Sequence, residues 1–379
     1  MPASLNILAI DPGSTSTKVG LFADESAVFT KNIRHSETDL AQFRERPVVD
    51  QKQFRCAQIE AALKTEVSSV PELHAVVGRG GLLPPLRSGS YLVTQTMLDE
   101  LLLARRGEHA SNLGAFLAYE LAAKAGVPAY VVDPVSVDEW PESVRLSGSA
   151  LLERQCLSHA LNSKAVAKRF AREQGKAYES LRLIVCHMGS GTSVSAHQDG
   201  CMIDVTNSRE EGAMSAERAG SVPAMQLVDL CFSGQYSRKQ VEQLLFREGG
   251  LYSYLGTKDL AEVEFSISAG NKKAASVYEA MVYQIAKEIG AMATVLKGRV
   301  DAMLFTGGMA HSQQLVSALT TRVSWIAPIV VYPGEDELQA LAEGVLRVLR
   351  GEEEVRYFRA KRKTGACGVG VLAVDHSSL

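Results

Sequence analysis

Short apolar runs alternate along this chain with longer, periodic stretches. The first run, Leu5–Ile10, ends at the small polar turn Asp11–Thr17, and apolar residues return in Lys18–Phe22. Two strand-like runs separated by a tight turn of small residues predict a β-hairpin. The same layout recurs, followed by one more turn and strand, in Leu183–Cys186, His187–Ser193, Val194–His197, Gln198–Gly200 and Cys201–Val205.

The two hairpins align with each other at one constant offset. This alignment pairs Asp11 with His187, Gly13 with Gly189, Ser14 with Ser190 and Ser16 with Thr192. Because the offset is close to half of the chain, the repeat predicts two related domains, residues 1–175 and 176–350, hinged near residue 175. The alternative is chance similarity, since turns rich in Gly and Ser are common.

Stretches with helical periodicity lie between and after the hairpins. The expected helices are Met97–Arg106, Asn112–Ala125, Leu151–Gln174, Ala274–Leu296, Leu315–Leu319 and Asp336–Leu349. The expected strands among them are Ala129–Asp133, Ala302–Phe305 and Ile329–Tyr332. Strands that alternate with helices place the chain in the α/β class. The tail, residues 351–379, fits no clear element and stays unassigned.

Composition narrows the classes of function. Of the 379 residues, 46% are apolar and 22% are charged, the balance of a globular protein with a large core. The net charge of −3 and the 6% aromatic content argue against nucleic-acid binding, and no apolar run is long enough to cross a membrane. The six cysteines are widely spaced, and no basic segment precedes the first apolar run. We therefore expect a cytoplasmic protein without a disulfide framework or signal peptide.

The first turn has the chemistry of a phosphate site. It offers backbone N–H groups, several hydroxyls and one ammonium group on Gly13, Ser14, Thr15, Ser16, Thr17 and Lys18. The P-loop pattern is absent. A glycine pair, Gly307-Gly308, follows another expected strand, and ligands of open α/β folds lie at the carboxyl ends of strands. These features favour a nucleotide cleft over the alternative of ordinary hairpin turns.

Several segments resemble, in chain order, the motifs of the acetate and butyrate kinases. The segments are Ile10–Lys18, Val77–Leu82, His109–Ala115, Val132–Pro134, His187–Ser193, Ala216–Gly220, Leu304–Ala310 and Pro333–Leu338. The butyrate kinases are the nearer match. The resemblance implies two related actin-like, ribonuclease H-like ATPase domains with a nucleotide cleft between them. It also implies phosphorylation of a short-chain fatty acid by ATP, with Mg²⁺, to give an acyl phosphate and ADP by direct in-line transfer.

The resemblance implies catalytic roles for four residues. Arg79 and Arg218 would clamp the phosphoryl and carboxylate groups, because a guanidinium meets such oxygens in a bidentate manner. His159 would stabilise the transferring group, and Asp133 would position these groups or the substrate. Without the resemblance, Arg79 is a loop arginine and Arg218 is half of a solvated pair with Glu217. His159 and Asp133 are then a structural histidine and a turn residue.

The resemblance also implies contacts with phosphate, adenosine and metal. Contacts with phosphate or substrate fall on the first turn, residues 13–18, and on His109, Asn112, His187, Gly189, Ser190 and Gly191. Contacts with adenosine fall on Asp259, Gly307 and Gly308, and contacts with metal on Asp11 and Asp336, the latter flanked by Glu335 and Glu337. Two positions depart from the family pattern: Asp11, where Asn is usual, and Ala261, where Arg is frequent near the adenosine.

The apolar wall of the site would decide substrate length, since each buried methylene contributes about 0.8 kcal/mol. The small residues Gly78, Gly80, Gly81 and Gly114 predict room for butyrate or isobutyrate, which are longer than acetate. The resemblance further suggests a homodimer or larger assembly.

Other functions stay open. They are an acetate or propionate kinase of the same family, a sugar kinase or activator-type ATPase, and a nucleotide-driven clamp protein that transfers no group. A sugar kinase would need an aspartate base, whereas a carboxylate substrate is already ionised at pH 7.

Overall fold

The computed structural model describes residues 4–67 and 71–359 and contains two β-sheets with helices packed against them. The strands are β1 (Asn6–Pro12), β2 (Ser16–Ala23), β3 (Ser26–Arg34), β4 (Ala75–Arg79), β5 (Ser90–Leu92), β6 (Ala129–Val132), β7 (Leu183–Met188), β8 (Thr192–Gln198), β9 (Cys201–Val205), β10 (Ala302–Gly307), β11 (Ile329–Pro333) and β12 (Arg356–Tyr357). The helices are α1 (Glu37–Ala41), α2 (Lys52–Glu66), α3 (Gln95–Leu103), α4 (Leu113–Ala125), α5 (Glu142–Arg145), α6 (Ala160–Glu173), α7 (Ala224–Phe232), α8 (Arg238–Phe246), α9 (Gly250–Leu255), α10 (Leu260–Ser268), α11 (Lys272–Val295), α12 (Gln313–Val323) and α13 (Glu337–Leu349). The predicted α/β class is confirmed.

The first sheet has the strand order β12-β5-β6-β4-β1-β2-β3. β1 and β2 form the expected hairpin, in which Asp11 lies opposite Lys18. β3 pairs antiparallel with β2, and β4 pairs parallel with β1 on its other side. Because β1 and β4 run in the same direction, their carboxyl ends at Pro12 and Arg79 meet at one edge of the sheet.

The second sheet, with the order β11-β10-β7-β8-β9, repeats this arrangement. β7 and β8 form the second expected hairpin, β9 pairs antiparallel with β8, and β10 runs parallel to β7 on the other side. The carboxyl ends of β7, β10 and β11 therefore meet at one edge, as those of β1 and β4 do in the first sheet. The shared topology is the structural counterpart of the aligned hairpins in the sequence.

The structure corrects one predicted helix. The periodicity of Leu151–Gln174 predicts a single helix, but α6 begins only at Ala160. Leu151 and Leu152 are exposed, so no surface covers an apolar helix face there. Arg154 holds the segment in a non-helical path by donating to the carbonyl of Val144 and to the carboxylate of Asp204.

Several elements are absent from the sequence prediction. They are the strands β3, β4, β5 and β12 and the helices α1, α2, α5 and α7–α10. Most positions of β3 face solvent, and α7 is apolar in sequence but buries no residue in the described chain, so neither shows the pattern of a half-buried element. In the tail, β12 pairs with β5, while residues 360–379 lie outside the described part of the chain. Within the described part, no helix is both long enough and apolar enough to span a bilayer.

The helices α6 and α13 pack across the predicted division at residue 175. α6 precedes that boundary, yet its buried face at Val166 and Phe170 packs against β7 and β10 of the second sheet. α13 comes late in the chain, yet Leu341 and Val345 pack against β1, β4 and β6 of the first sheet. The two helices also contact each other, so they lie between the sheets.

The packing of α13 predicts a large loss of stability for Leu341→Ala. Leu341 is fully buried, and its truncation leaves a cavity between α13 and the first sheet. The substitution should lower the free energy of unfolding by about 2–5 kcal/mol, measured by urea denaturation. Leu102→Ala is the matched control, because Leu102 is 58% exposed and its loss should cost less than about 0.5 kcal/mol. Equal losses for both variants would contradict this account of the core.

Candidate active site

Four charged side chains meet beside the first turn. Arg79, the last residue of β4, donates to Asp11 at 3.3 Å and also to Glu337, the first residue of α13. Lys18 of β2 donates to Glu337 at 3.0 Å. Asp11 and Glu337 are 5% and 9% exposed, so these charges are largely removed from water. Buried charges need partners, and here two cations face two acids.

The members of this cluster shift one another's protonation. Burial raises the pKa of Asp11 and outweighs the attraction of Arg79. Burial also disfavours the ionised form of Glu337, but Arg79 and Lys18 overcome this effect and lower the pKa of Glu337. Burial alone would lower the pKa of Arg79, whereas the two carboxylates raise it. The cluster thus keeps Glu337 anionic and Arg79 cationic.

A stacked pair of histidines lies at the edge of the second sheet. The rings of His159 and His187 are 4.0 Å apart at their centroids and nearly parallel. His187 Nδ1 contacts Asn162 Oδ1 at 3.0 Å, and its Nε2 contacts Glu335 Oε1 at 3.1 Å. Both ring nitrogens therefore face oxygen atoms. The hydrogen bond from His187 in turn lowers the pKa of Glu335.

His159 has the opposite character. Desolvation lowers its pKa well below the usual range, and the charges of His187, Arg218 and Arg79 act in the same direction. Its Nδ1 lies 3.0 Å from Ser193 Oγ. If that hydroxyl donates to Nδ1, the ring proton is on Nε2, which is then a hydrogen-bond donor without charge. Arg79 belongs to the first sheet and Arg218 lies against the second turn, so the charges that lower this pKa come from both halves of the site.

Arg218 lies against the second turn. Its Nη1 donates to Ser208 Oγ at 2.6 Å, and a Cβ atom on Gly191 would come within 2.8 Å of its guanidinium carbon. A Cβ atom on Gly189 would similarly meet the carboxylate of Glu335 at 2.6 Å. The two glycines therefore let charged side chains approach the turn, while Ser190 at its tip is exposed. Burial lowers the pKa of Arg218.

The first turn has exposed and enclosed members. Ser14 and Thr15 are exposed, whereas Thr17 is fully buried and its hydroxyl contacts Arg55 and His35. The hydroxyl of Thr17 therefore faces the protein interior. Gly13 N donates to Ser16 O at 2.8 Å and closes the turn.

Three predicted residues have their side chains occupied elsewhere. Asp133 accepts hydrogen bonds from Ser88 Oγ at 2.6 Å and Gly89 N at 2.7 Å, which anchors the segment before β5. Asp336 caps α13 by accepting from Gln339 N, so Glu337 is the acid that joins Asp11. In the same manner, Asp259 caps α10 through its carboxylate.

Residues near the start of α4 hold the loop after Arg79. Asn112 accepts from Leu82 N at 2.8 Å and donates to Gly107 O, so it joins two loops. His109 is exposed, and its Nδ1 contacts Ser111 Oγ at 2.8 Å. Desolvation lowers the pKa of His109, with further contributions from Arg79 and Arg218. The charges of both arginines therefore affect the protonation of His109, while Asn112 holds two loops together.

The glycines expected to leave room for substrate do not do so. A Cβ atom on Gly78 would meet the carbonyl oxygen of Gly114 at 2.0 Å, and one on Gly114 would meet Arg79 O at 2.0 Å. Cβ atoms on Gly80 and Gly81 would overlap with Pro134 and Asn112. The space beside these glycines is filled by neighbouring chain, which lets β4 pack closely against α4. The sequence argument from small residues to a larger pocket is wrong.

The third glycine pair adjoins the second turn. Gly307 has a φ of +90°, and a Cβ atom there would meet Met188 O at 2.3 Å, so a larger residue would be strained. Gly308 faces open space. Backbone hydrogen bonds join Gly307 to Gly334 in both directions, which ties this pair to the segment that contains Glu335 and Glu337.

The sequence prediction misses Arg55 and does not single out Glu337. Glu337 is one of three neighbouring acids in the sequence. Which of the three faces Arg79 is decided by the residue at which α13 begins. Arg55 lies under the first turn and is fully buried on α2. A signal for it exists in the sequence, because Arg55 shares the helical spacing of the buried residues Ile59, Ala62 and Leu63.

The acids near the first turn fit a nucleotide-bound magnesium ion. Mg²⁺ commonly takes one or two carboxylates and completes its shell with water and phosphate oxygens. Asp11 and Glu337 offer such a pair, since both contact Nη1 of Arg79. Among residues 4–67 and 71–359, no group of three His, Cys, Asp or Glu side chains could hold a metal ion alone. The donor set therefore suits a metal shared with a phosphate ligand.

Solved structures with the same overall architecture are kinases. The acetate kinase of Porphyromonas gingivalis superposes with a TM-score of 0.73 at 20% identity, covering 90% of this chain and 99% of its own. A propionate kinase from Francisella tularensis gives a TM-score of 0.70 at 16% identity, covering 90% and 98%. These similarities confirm the expected actin-like ATPase fold.

Sequence comparison extends the relationship from fold to family. The model of the Acetokinase family matches residues 150–327. Butyrate kinase 1 of Clostridium acetobutylicum is 51% identical over 354 residues, which cover 93% of this chain and 99% of that protein. Identity at this level over nearly the whole of both chains shows that the protein belongs to the acetokinase family.

Proposed function

We propose that this protein transfers the terminal phosphoryl group of ATP to the carboxylate of a short-chain fatty acid, butyrate or a branched relative, giving an acyl phosphate and ADP. One observation carries the proposal: Arg79 lies beside Asp11 at the first turn, and Arg218 lies against Gly191 at the second turn, which also adjoins the stacked histidine pair. Two anions repel each other, so their reaction needs cations on both sides of the transferring group.

The residues divide into roles that suit this reaction. Arg79 and Arg218 bind oxygens of the carboxylate and of the transferring phosphoryl group. His159, held neutral by its surroundings, donates a hydrogen bond from Nε2 to a phosphoryl oxygen without adding a charge. His187, paired with Glu335, supports the ring of His159 from behind. No general base is required, because the carboxylate of the acceptor is already ionised.

Phosphate contacts come from both turns. The exposed residues Ser14 and Thr15 and the tip residue Ser190 supply backbone amides and hydroxyls. Lys18 reaches the same region and lies beside Glu337. Gly307 and Gly308 line the adenosine side, where Gly308 faces open space and so leaves room for the nucleotide.

Asp11 and Glu337 would hold Mg²⁺ together with the nucleotide phosphates. A bound Mg²⁺ neutralises developing negative charge on the phosphate oxygens. Asp133 serves as a positioning residue, because its carboxylate fixes the segment at Ser88 and Gly89.

The proposed activity is tested by trapping the product with hydroxylamine after incubation with Mg-ATP and butyrate. Formation of a hydroxamate supports acyl phosphate synthesis. Hydrolysis of ATP without a hydroxamate would instead indicate the clamp-type ATPase.

Arg218→Ala should lower kcat by about 10²-fold or more and raise the KM for ATP much less. The guanidinium is needed mainly as charge develops on the transferring group, so its loss destabilises the transition state more than the bound nucleotide. Steady-state kinetics in a coupled ADP-release assay measure both constants. Arg238→Ala is the control, because the side chain of Arg238 is 92% exposed and lies on α8. A variant at Arg218 with near-normal kcat would contradict the assigned role.

Substrate length gives a second test. We expect kcat/KM for butyrate or isobutyrate to exceed that for acetate by at least about tenfold, equivalent to two or more buried methylene groups. Because neighbouring chain fills the space beside Gly78, Gly80, Gly81 and Gly114, these glycines do not support this expectation. It rests on the 51% identity to a butyrate kinase. Acetate, propionate, butyrate and isobutyrate are compared at saturating ATP. A preference for acetate, or equal values for all four acids, would favour the acetate or propionate kinase alternative.

We further propose that the protein forms a homodimer or larger assembly through α7. Met225 and Phe232 on this helix are 71% and 86% exposed, and the helix buries no residue within the described chain. Contiguous exposed apolar side chains of this kind are characteristic of an interface.

Phe232→Glu should therefore reduce the molar mass measured by light scattering during size-exclusion chromatography. The buried glutamate would be an unpaired charge in the interface, which costs several kcal/mol. Trp325→Glu is the control, since Trp325 is also highly exposed at 77% but lies at the end of α12, outside α7. An unchanged molar mass for Phe232→Glu would exclude α7 from the interface.

A further inference from the structure

Arg55 forms the floor of the first turn. It is fully buried on α2, and its Nη1 donates to Gly13 O, Ser16 O and the Thr17 hydroxyl, each at 2.9 Å. Its Nη2 donates to Ser14 O at 3.2 Å. Three carbonyl groups of the first turn thus converge on one guanidinium.

This convergence determines where the amides of the turn point. A peptide unit is planar and trans, so its N–H points away from the side to which its C=O points. Gly13 O and Ser14 O face Arg55, and the N–H groups of Ser14 and Thr15 therefore point to the opposite side. Both residues are exposed, and within the described residues neither N–H donates to a protein acceptor. Two unpaired donors thus lie on the outer side of the turn, where an anion can bind.

Within residues 4–67 and 71–359, no acidic side chain pairs with Arg55. In this part of the chain its guanidinium contacts carbonyl groups, the Thr17 hydroxyl and Gln51 Oε1, the last at 2.8 and 3.0 Å. Burial lowers the pKa of Arg55 to about 10, so the group is still cationic at neutral pH.

The neighbouring His35 adds no second charge. Burial, reinforced by Arg55, lowers the pKa of His35 to about 4. The neutral ring is then free to accept from the Thr17 hydroxyl at 2.9 Å, while that hydroxyl accepts from Arg55. The turn therefore rests on a single positive charge.

We propose that Arg55 is a positioning residue for the nucleotide phosphates. It turns the amides of Ser14 and Thr15 towards the cleft, and its unbalanced charge acts through the turn on a phosphate bound to them. The proposal rests on the proposed ATP-dependent function, and it adds a residue that touches no substrate.

The first test is Arg55→Lys, which keeps the charge but cannot reach three carbonyls at once. We expect the Kd for Mg-ATP, measured by isothermal titration calorimetry on the full chain, to rise at least about tenfold. The KM for the carboxylic acid should change less than about twofold, because the acid does not bind the first turn. A folded Arg55→Lys protein with wild-type affinity for Mg-ATP would overturn the positioning role.

The second test is Gln51→Glu, which leaves Arg55 in place and neutralises its charge. The new carboxylate would lie at the Oε1 position that already contacts Arg55, at the start of α2, where a negative charge is favourable. We expect an unchanged or higher Tm together with a Kd for Mg-ATP raised at least about threefold. A purely structural role for Arg55 predicts no such separation of stability from affinity, and wild-type affinity in Gln51→Glu would overturn the electrostatic part.

Lys52→Gln is the matched control on the same helix. Lys52 pairs with Glu120 and does not contact the turn, so its loss removes one cation from α2 without touching the phosphate site. It should bind Mg-ATP as the wild-type protein does.

If Arg55→Lys does not fold, Gln51→Glu decides the proposal alone. Wild-type protein that forms no acyl phosphate would instead refute the proposed function, whatever the variants do.

Discussion

The segment that leads from β11 into α13 connects the two halves of the site. Glu335 contacts His187 at the second turn, and Glu337 contacts Arg79 and Lys18 beside the first turn. The two acids are two positions apart in the chain, a distance of roughly 7 Å along an extended chain, so one short segment can reach both turns. Gly334, with a φ of +93°, makes the bend that this path requires. The two acids thus tie the first turn to the second.

The contacts of this segment join distant parts of the chain. The difference between such tertiary contacts and local ones explains which parts of the fold could be predicted from the sequence. Each hairpin is local, with its strands and turn contiguous in the chain, and both were predicted with nearly correct bounds. The end of α4 at Gly126 is likewise a local signal, because that glycine adopts a left-handed conformation. By contrast, the packing of α6 on the second sheet and α13 on the first is decided by tertiary contacts that no local pattern carries.

The candidate site divides in the same way. The turns were predicted because their composition is unusual, whereas the acid that joins Asp11 was not resolved among three neighbours. Asp336 became the helix cap, which left Glu337 one position further on to face Arg79.

The glycines near Arg79 show a different limit. A missing side chain can admit a ligand or another part of the chain, and only the neighbouring atoms distinguish the two. Here Gly114 O occupies the space beside Gly78.

The two turns match in sequence but are supported in different ways. The first turn rests on a buried cation, Arg55, which holds its carbonyls from behind. The second turn has Arg218 packed against Gly191, and Ser215 Oγ donates to Ser190 O. The two turns therefore share the Gly and Ser residues that can contact phosphate. They do not share the side chains that support the turns from below. With one arginine behind a turn and another beside one, the two halves contribute differently. Each half has an arginine whose charge acts on His159, but within the described part of the chain only the first half has a further arginine, Arg55, buried beneath its turn.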